Sequence, residues 1–131
     1  MISVIVLTYN NIDILDKCLE SIFHQTFKNY EVIFIDNCSS DGTYEKLLKI
    51  DKPNIKIFQS KNIGNMAASR NIGIRNSKYE YLAFHDSDDF WYPSKLEEIS
   101  KYIDKYDLVY HDFDIFSEVN NKRLRKKKIS N

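Results

Sequence analysis

Ile2-Ser-Val-Ile-Val-Leu7 is the stretch that decides the fold class of this chain. It is a short, continuous run rich in β-branched residues, which is typical of a strand buried on both faces in a parallel sheet. Glu31-Val-Ile-Phe-Ile35 has the same character. Between the two runs, apolar residues recur at helical spacing from Ile12 to about His24. These segments predict a β-α-β unit.

Alternation of strands and helices continues along the rest of the chain. It predicts an α/β fold of three layers, with a mostly parallel, Rossmann-like sheet and helices on both of its faces. Ligands bind such sheets beyond the carboxyl ends of the strands. Gly73 lies inside an expected helix, where glycine costs about 1 kcal/mol against alanine, and so predicts a close approach of another element. The further elements expected are a short helix from Thr43, strand Ile55–Phe58, a helix from about Met66 to Arg75, strand Tyr81–His85, a helix from Pro93 or Ser94, and strand Leu108–Phe116.

The composition is that of one ordinary globular domain. Of the 131 residues, 43% are hydrophobic and 29% are charged, so a packed core is expected rather than disorder. The net charge of zero hides an asymmetry, because residues 1–117 hold 13 basic and 18 acidic groups. An acidic body is a poor general binder of nucleic acid, since phosphate neutralisation needs a basic face. We expect no nucleic-acid partner.

The C-terminal residues form a distinct basic segment. We place the main domain at residues 1–118, followed at 119–131 by a segment that holds six of the 19 basic residues. This segment is either the return strand of a hairpin that turns at Asn120-Asn121 or a disordered tail. Its charge would favour weak association with an anionic membrane surface. The N-terminus lacks a cleavable signal pattern, so we expect a protein of the cytoplasm or of the inner face of the cell membrane.

Three carboxylates lie within four residues directly after strand Tyr81–His85: Asp86, Asp88 and Asp89. They repel one another, so the cluster is costly unless a cation or hydrogen-bond donors neutralise it. Mg²⁺ and Mn²⁺ prefer oxygen ligands, often one or two carboxylates together with substrate phosphates. A metal site is therefore one interpretation, and it requires the loop to bend if Asp86 and Asp88 are to bind one ion. The other interpretation is a turn or helix-capping cluster before Pro93.

Polar residues also follow the other buried strands. Asp36 comes after the second strand, where it would accept a hydrogen bond from a nucleobase or ribose, or instead hold the following loop as an Asx-turn. Asn10 follows the first strand and is also a candidate helix cap. Arg70, on the helix after Gly64, would meet a diphosphate or a base edge, or lie in solvent.

Taken in order, these stretches resemble the family 2 inverting glycosyltransferases, which have the GT-A fold. The resemblance is continuous from residue 2 to about residue 118. It is carried by four motifs at consistent spacings. These are Ser3-Val-Ile-Val-Leu-Thr-Tyr-Asn10, Glu31-Val-Ile-Phe-Ile-Asp-Asn-Cys-Ser-Ser-Asp-Gly-Thr43, Asn62-Ile-Gly64 with Ala68-Ser-Arg-Asn-Ile-Gly73, and Tyr81-Leu-Ala-Phe-His-Asp-Ser-Asp-Asp89 followed by Pro93-Ser-Lys-Leu96.

The resemblance implies a role for each matching residue. Asp86-Ser87-Asp88 looks like the family's D-x-D motif, in which Asp88 matches the ligand of Mn²⁺ or Mg²⁺ and Asp86 contacts the ribose or the metal. The residues after the first strand would line the nucleobase pocket, Asp36 would bind a uracil-like base, and Asp41 would support that loop or the ribose. The residues expected to contact the nucleotide are Thr8, Tyr9, Asn10, Asp36, Asp41, Arg70 and Asp86.

The activity that the resemblance implies is transfer of a sugar, with inversion, from a nucleotide-sugar such as a UDP-sugar to a glycan or lipid-linked acceptor. Such a reaction needs a general base to deprotonate the acceptor hydroxyl. In the family this carboxylate lies in the later half of the domain, and we assign it to no residue here, including Asp112 and Asp114. The chain is therefore interpreted as a truncated, N-terminal part of such a domain, whose exposed sheet edge would favour self-association.

Two alternatives remain open. The first is a non-catalytic fragment that binds the nucleotide only. The second is a sugar nucleotidyltransferase, which ranks low because Thr8-Tyr9-Asn10-Asn11 lacks the glycine-rich, basic phosphate loop of those enzymes. A dinucleotide-dependent dehydrogenase is excluded because the G-x-G-x-x-G pattern is absent.

Overall fold

The computed structural model describes residues 1–61, 64–117 and 122–127. Strands and helices alternate through the first hundred residues, and two consecutive strands follow them. In chain order the elements are β1 (Ile2–Thr8), α1 (Leu15–Phe23), β2 (Tyr30–Asp36), α2 (Thr43–Leu47), β3 (Ile55–Gln59), α3 (Met66–Asn76), β4 (Tyr81–Asp86), α4 (Lys95–Ser100), β5 (Phe113–Ser117) and β6 (Lys122–Lys127).

The first four strands form one parallel sheet in the order β3-β2-β1-β4. The register of β1 against β2 opposes Thr8 to Asp36, and its register against β4 opposes Leu7 to Asp86. The carboxyl ends of these three strands therefore lie side by side at one edge of the sheet. The prediction of an α/β fold with a parallel sheet is confirmed, and the residues singled out after each strand meet at this carboxyl edge.

Burial is most complete in the two central strands, β1 and β2, whose residues are all buried. On one face of the sheet, Ile5, Leu7, Ile33 and Ile35 form a cluster against which Ile72 of α3 packs. Each such side chain contributes about 1.5–3 kcal/mol when it leaves water. The cluster fixes α3 against the sheet, and with it the residues that α3 carries to the carboxyl edge.

Gly73 is the point of closest approach between α3 and the sheet. A Cβ atom built at this position would lie 2.5 Å from Cγ2 of Ile5 and 3.1 Å from Cδ1 of Ile35. Real carbon atoms do not approach so closely, and an added methyl would force the helix outward. The close approach predicted from a glycine inside a helix is therefore confirmed.

The start of the first helix differs from the sequence prediction. α1 begins at Leu15, its N-cap residue is Ile14, and no side chain caps it. Asn10 is not a helix cap, because it has a left-handed backbone with φ 49°. Asparagine tolerates this conformation better than most residues. The polar residues after β1 therefore form a turn of their own.

The fifth strand also differs from the prediction. The expected strand over residues 108–116 is shortened to β5, which pairs antiparallel with β6 and does not join the parallel sheet. Leu108 is 77% exposed, so the apolar residues before β5 do not mark a buried strand. The candidate turn at residues 120–121 lies outside the described residues.

Contacts divide the chain into two compact units, Met1–Glu98 and Ile99–Asn131. The first contains the parallel sheet and the second contains the β5-β6 hairpin. This division falls at α4, earlier than the boundary that composition placed at residue 118. Within the described parts of the chain, no helix has the length and apolar character needed to cross a membrane.

Candidate functional site

A cavity of about 470 Å³ opens at the carboxyl edge of the parallel sheet. Its volume lies within the range of small-molecule sites in proteins. It is lined by residues from the ends of three strands and from α3. These include Thr8, Tyr9, Asn37, Ser69, Asp86 and Asp88.

The segment at residues 86–89, at the end of β4, forms one wall of this cavity, and we call it the acidic loop. Ser87 is buried, its backbone N–H donates to the carbonyl of Leu7 at 3.1 Å, and its hydroxyl donates to Oδ1 of Asn11 at 2.8 Å. The N–H of Asp89 donates to the carbonyl of Asp86 at 2.9 Å, which closes a tight turn. The loop therefore bends as a shared metal site would require, and both Asp86 and Asp88 line the cavity.

Arg70 of α3 neutralises part of the acidic cluster. Its Nη2 atom lies 3.0 Å from Oδ1 of Asp86. Because the two side chains are 35% and 44% exposed, the pair contributes at most about 1 kcal/mol to stability. The contact therefore leaves both groups able to rearrange toward a ligand in the cavity.

The acidic loop has the chemistry of a divalent-cation site that a ligand completes. Asp88 is exposed and lines the cavity with Asp86. Among the described residues, no group of three or more His, Cys, Asp and Glu side chains is placed to enclose an ion. Mg²⁺ bound to nucleotides commonly takes one or two carboxylates, with phosphates and waters filling its other positions. The residues present fit that arrangement.

His85 precedes the acidic loop but faces the interior. It is 2% exposed, its ring lies 4.6 Å from that of Trp91, and neither ring nitrogen has a hydrogen-bond partner. Burial lowers its pKa to about 4, so the ring is neutral at physiological pH. His85 therefore packs in the interior against Trp91.

Asp36 is absent from the described residues that line the cavity. It is fully buried and accepts hydrogen bonds from Thr8 Oγ1 at 3.2 Å, from the N–H and hydroxyl of Ser39, and from Gln59 Nε2 at 3.3 Å. The bond from the Ser39 N–H is that of an Asx-turn. Asp36 therefore holds the loop after β2, and its contact with a base stays a prediction.

Asn37 occupies the place in the cavity wall that was expected for Asp36. It is 9% exposed, and its Oδ1 accepts a hydrogen bond from Ser69 Oγ at 3.3 Å. Sequence reasoning overlooked both residues. The available signal was that Asn37 is the first residue beyond a buried strand, where side chains of such sheets reach ligands.

Asn10 and Asp41 join the two loops that flank the cavity. The N–H of Asn10 donates to Ser39 Oγ, and its Oδ1 accepts from the N–H of Ser40, both at 2.9 Å. Asp41 accepts from the N–H of Ile12 at 2.9 Å and from that of Thr43 at 3.0 Å. Desolvation opposes ionisation of Asp41, but these bonds lower its pKa on balance. Both residues support the loops, while Tyr9 is 52% exposed and lines the cavity.

Comparisons with known proteins agree with this geometry. The chain matches the family model described as "Glycosyl transferase family 2" over residues 3–130. A relative from Rickettsia felis, named an uncharacterized glycosyltransferase, is 38% identical over 128 residues, covering 96% of this chain and 20% of that protein. The Escherichia coli UDP-Glc:alpha-D-GlcNAc-diphosphoundecaprenol beta-1,3-glucosyltransferase WfaP is 34% identical over 96 residues, covering 73% of this chain and 38% of that protein.

A similar structure is that of S. aureus TarS 1-349 in complex with UDP, with a TM-score of 0.72 and 32% identity. The similarity covers 79% of this chain and 32% of that chain. This chain thus spans about a third of TarS 1-349 and between a fifth and two fifths of the two relatives. With the parallel sheet and the cavity at its carboxyl edge, the match over nearly its whole length shows that the chain belongs to glycosyl transferase family 2.

Proposed function

We propose that this chain binds a nucleotide-sugar donor, with a UDP-sugar favoured, in the cavity at the carboxyl edge of its sheet. The observation that carries the proposal is the convergence of Thr8, Asp86 and Asp88 on one cavity of about 470 Å³. TarS, which has a similar fold, is described in complex with UDP and with UDP-GlcNAc. WfaP is named for a UDP-Glc donor.

Each wall of the cavity has a proposed task. Tyr9 lines the cavity, where its ring would stack on a nucleobase, and Thr8 lies beside it at the end of β1. Arg70, now paired with Asp86, would turn toward the ribose or the diphosphate. Asp88, with Asp86 as its partner, would hold Mn²⁺ or Mg²⁺. Such an ion, when bound, stabilises the charge of the leaving nucleoside diphosphate.

The reaction we propose for the whole enzyme is transfer of the sugar to a hydroxyl acceptor with inversion. The acceptor oxygen attacks the anomeric carbon opposite the leaving diphosphate, and a carboxylate must accept the hydroxyl proton. The donor-site carboxylates have other tasks, so we assign this base to none of them. The name of WfaP includes a diphosphoundecaprenol-linked acceptor, which supports a glycan or lipid-linked acceptor.

A second candidate function is nucleotide binding without turnover. It is favoured by the lining of the cavity, in which the described carboxylates, Asp86 and Asp88, are both proposed to hold the metal and neither is left to act as the base. Both candidates predict binding of a nucleoside diphosphate. Product release, assayed with a panel of nucleotide-sugars and hydroxyl acceptors, separates them, because only a transferase yields product.

Calorimetric titration of UDP with and without Mn²⁺ tests the proposed donor site. We expect Mn²⁺ to raise the affinity of the wild type, and Asp88→Ala to lower the affinity in Mn²⁺ by at least about tenfold. Asp51→Ala is a matched control, because it removes an exposed carboxylate that precedes β3 at the opposite edge of the sheet. Equal binding by wild type and Asp88→Ala would refute the metal-binding role of Asp88.

A further inference from the structure

Gln25, just beyond the end of α1, is a fully buried amide. Glutamine is mostly exposed in proteins, and a buried amide must have its hydrogen bonds satisfied. Its Nε2 donates to the carbonyls of Ser21 and Tyr92, each at 2.9 Å, and its Oε1 accepts from the N–H of Leu96 at 2.9 Å. Gln25 thus joins the end of α1 to the segment that follows the acidic loop.

Thr26 strengthens the same connection. Its N–H donates to the carbonyl of Pro93 at 2.8 Å, and its hydroxyl lies 2.6 Å from Oε2 of Glu97 and 3.3 Å from the Pro93 carbonyl. Leu96, on the attached segment, is fully buried. We call Gln25 and Thr26 together the α1 clamp, because they fix residues 92–97 to the end of α1.

The α1 clamp and Ser87 hold the acidic loop from its two sides. On the N-terminal side of Asp88, Ser87 is hydrogen-bonded to Leu7 and Asn11. On its C-terminal side, the α1 clamp holds the chain from Tyr92 onward. Only residues 88–91 lie between these attachments. A span this short with both ends fixed has few conformations, so the position of Asp88 depends on both attachments. A binding site loses affinity when its groups shift by as little as about 1 Å.

We infer that Gln25 is a positioning residue for the acidic loop and sets the place of Asp88 from outside the cavity. Gln25 is not among the described residues that line the cavity, so it acts only through Tyr92 and Leu96. The inference rests on the proposed function, since it assigns Gln25 an effect on metal-supported nucleotide binding. It adds a residue that the D-x-D pattern does not contain and that lies before β2, whereas the pattern begins at the end of β4.

Gln25→Met tests the inference, because methionine has a similar length but lacks the two donors and the acceptor. UDP is titrated into the protein in Mn²⁺ and again in EDTA, and the ratio of the two affinities gives the gain from the metal. We expect the gain to fall by about tenfold, as for other residues that orient metal ligands, while the affinity in EDTA stays unchanged.

Tyr30→Phe is the matched control. The Tyr30 hydroxyl donates to the carbonyl of Ile22 at 2.9 Å, so its loss also removes a buried hydrogen bond at the end of α1. This bond does not involve residues 92–97. Tyr30→Phe is therefore expected to lower the melting temperature and to keep the wild-type gain from Mn²⁺.

Thr26→Val keeps the test decisive if Gln25→Met does not fold. It removes only the hydroxyl contacts and is expected to lower the gain from Mn²⁺ severalfold. Thr26→Ser keeps the hydroxyl and is expected to show the wild-type gain. The inference would be overturned if a folded variant of the α1 clamp showed the same gain from Mn²⁺ as wild type. It would also be overturned if the variant lost affinity for UDP equally in Mn²⁺ and in EDTA. Neither result would contradict the proposed donor site. Absence of any gain from Mn²⁺ in the wild type would overturn the proposed function and this inference with it.

Discussion

Two carboxylates at opposite edges of the parallel sheet, Glu31 and Asp88, lie in opposite circumstances. At the amino edge, Glu31 is buried and enclosed by the Ser3 hydroxyl at 2.7 Å, the Lys78 N–H at 2.6 Å and the Lys56 ammonium at 2.9 Å. At the carboxyl edge, Asp88 is exposed and lines a cavity. Enclosed carboxylates hold a fold together, whereas carboxylates left open to a cavity are available to a ligand.

Among the charged residues Glu31, Arg70 and Asp88, Glu31 is the one whose loss should cost most stability. Glu31→Ala removes the shared acceptor of three donors and leaves Ser3 buried without it. We expect a loss of about 2–4 kcal/mol in the free energy of unfolding, less than for a fully buried pair because Lys56 is partly exposed. Urea unfolding measures the loss. UDP affinity in Mn²⁺, measured on the folded protein, should stay within about twofold of wild type, and a larger drop would remove the contrast between the edges.

A pH series sharpens the same contrast. Desolvation opposes ionisation of Glu31, but its hydrogen bonds to Lys78 and Ser3 and the charge of Lys56 lower its pKa on balance. The pKa in the folded state is therefore below the unfolded value of about 4.3. The stabilisation is fully present above that value and is lost as the pH falls through the folded pKa. The stability difference between wild type and Glu31→Gln should shrink between about pH 6 and pH 3, and a constant difference would contradict this account.

Arg70 is intermediate between an enclosed and an open charged group, because it pairs with Asp86 and can also reach a ligand. Arg70→Met should change stability by less than about 1 kcal/mol, because the pair is partly exposed. UDP affinity should fall about three- to tenfold, as for the loss of one partly exposed hydrogen bond. Arg75→Met, which removes an exposed arginine from the same helix, serves as the control and should bind UDP like wild type.

Asp88 should give the smallest change in stability. Because it is exposed, Asp88→Ala is expected to alter the free energy of unfolding by no more than about 0.5 kcal/mol, and relief of repulsion with Asp86 favours a gain. Thermal unfolding in EDTA measures this directly. A loss as large as that of Glu31→Ala would show that the acidic loop is structural.

The sequence predicts most of the fold because its strong signals are local. Continuous apolar runs mark β1 and β2 nearly to the residue, and Gly73 marks the close approach of α3. The expected strand at residues 108–116 is wrong in extent, because partial alternation does not show where a strand begins, but its antiparallel partner β6 lies in the basic segment that was predicted as the return strand of a hairpin. Register and strand order come from contacts that no single segment encodes.

The candidate site is likewise predictable from local signals, but not where it depends on contacts between distant segments. The rule that ligands bind at the carboxyl ends of parallel strands brings Thr8, Tyr9, Asp86 and Asp88 together before any coordinates are known. Gln25 was out of reach, because its amide bonds to Tyr92, 67 residues away, and the sequence around it contains no sign of that contact. Asp36 was predicted to contact the ligand and Asn37 was not, because a carboxylate is a more obvious candidate for ligand binding than an amide.

Gly73 makes two distant positions of the chain interdependent. Its missing Cβ leaves just the room that Cγ2 of Ile5 occupies. A larger residue at position 73 therefore requires a smaller one at position 5, and either exchange alone produces a clash or a void. In related sequences, a larger residue at position 73 is therefore expected to occur together with a smaller residue at position 5.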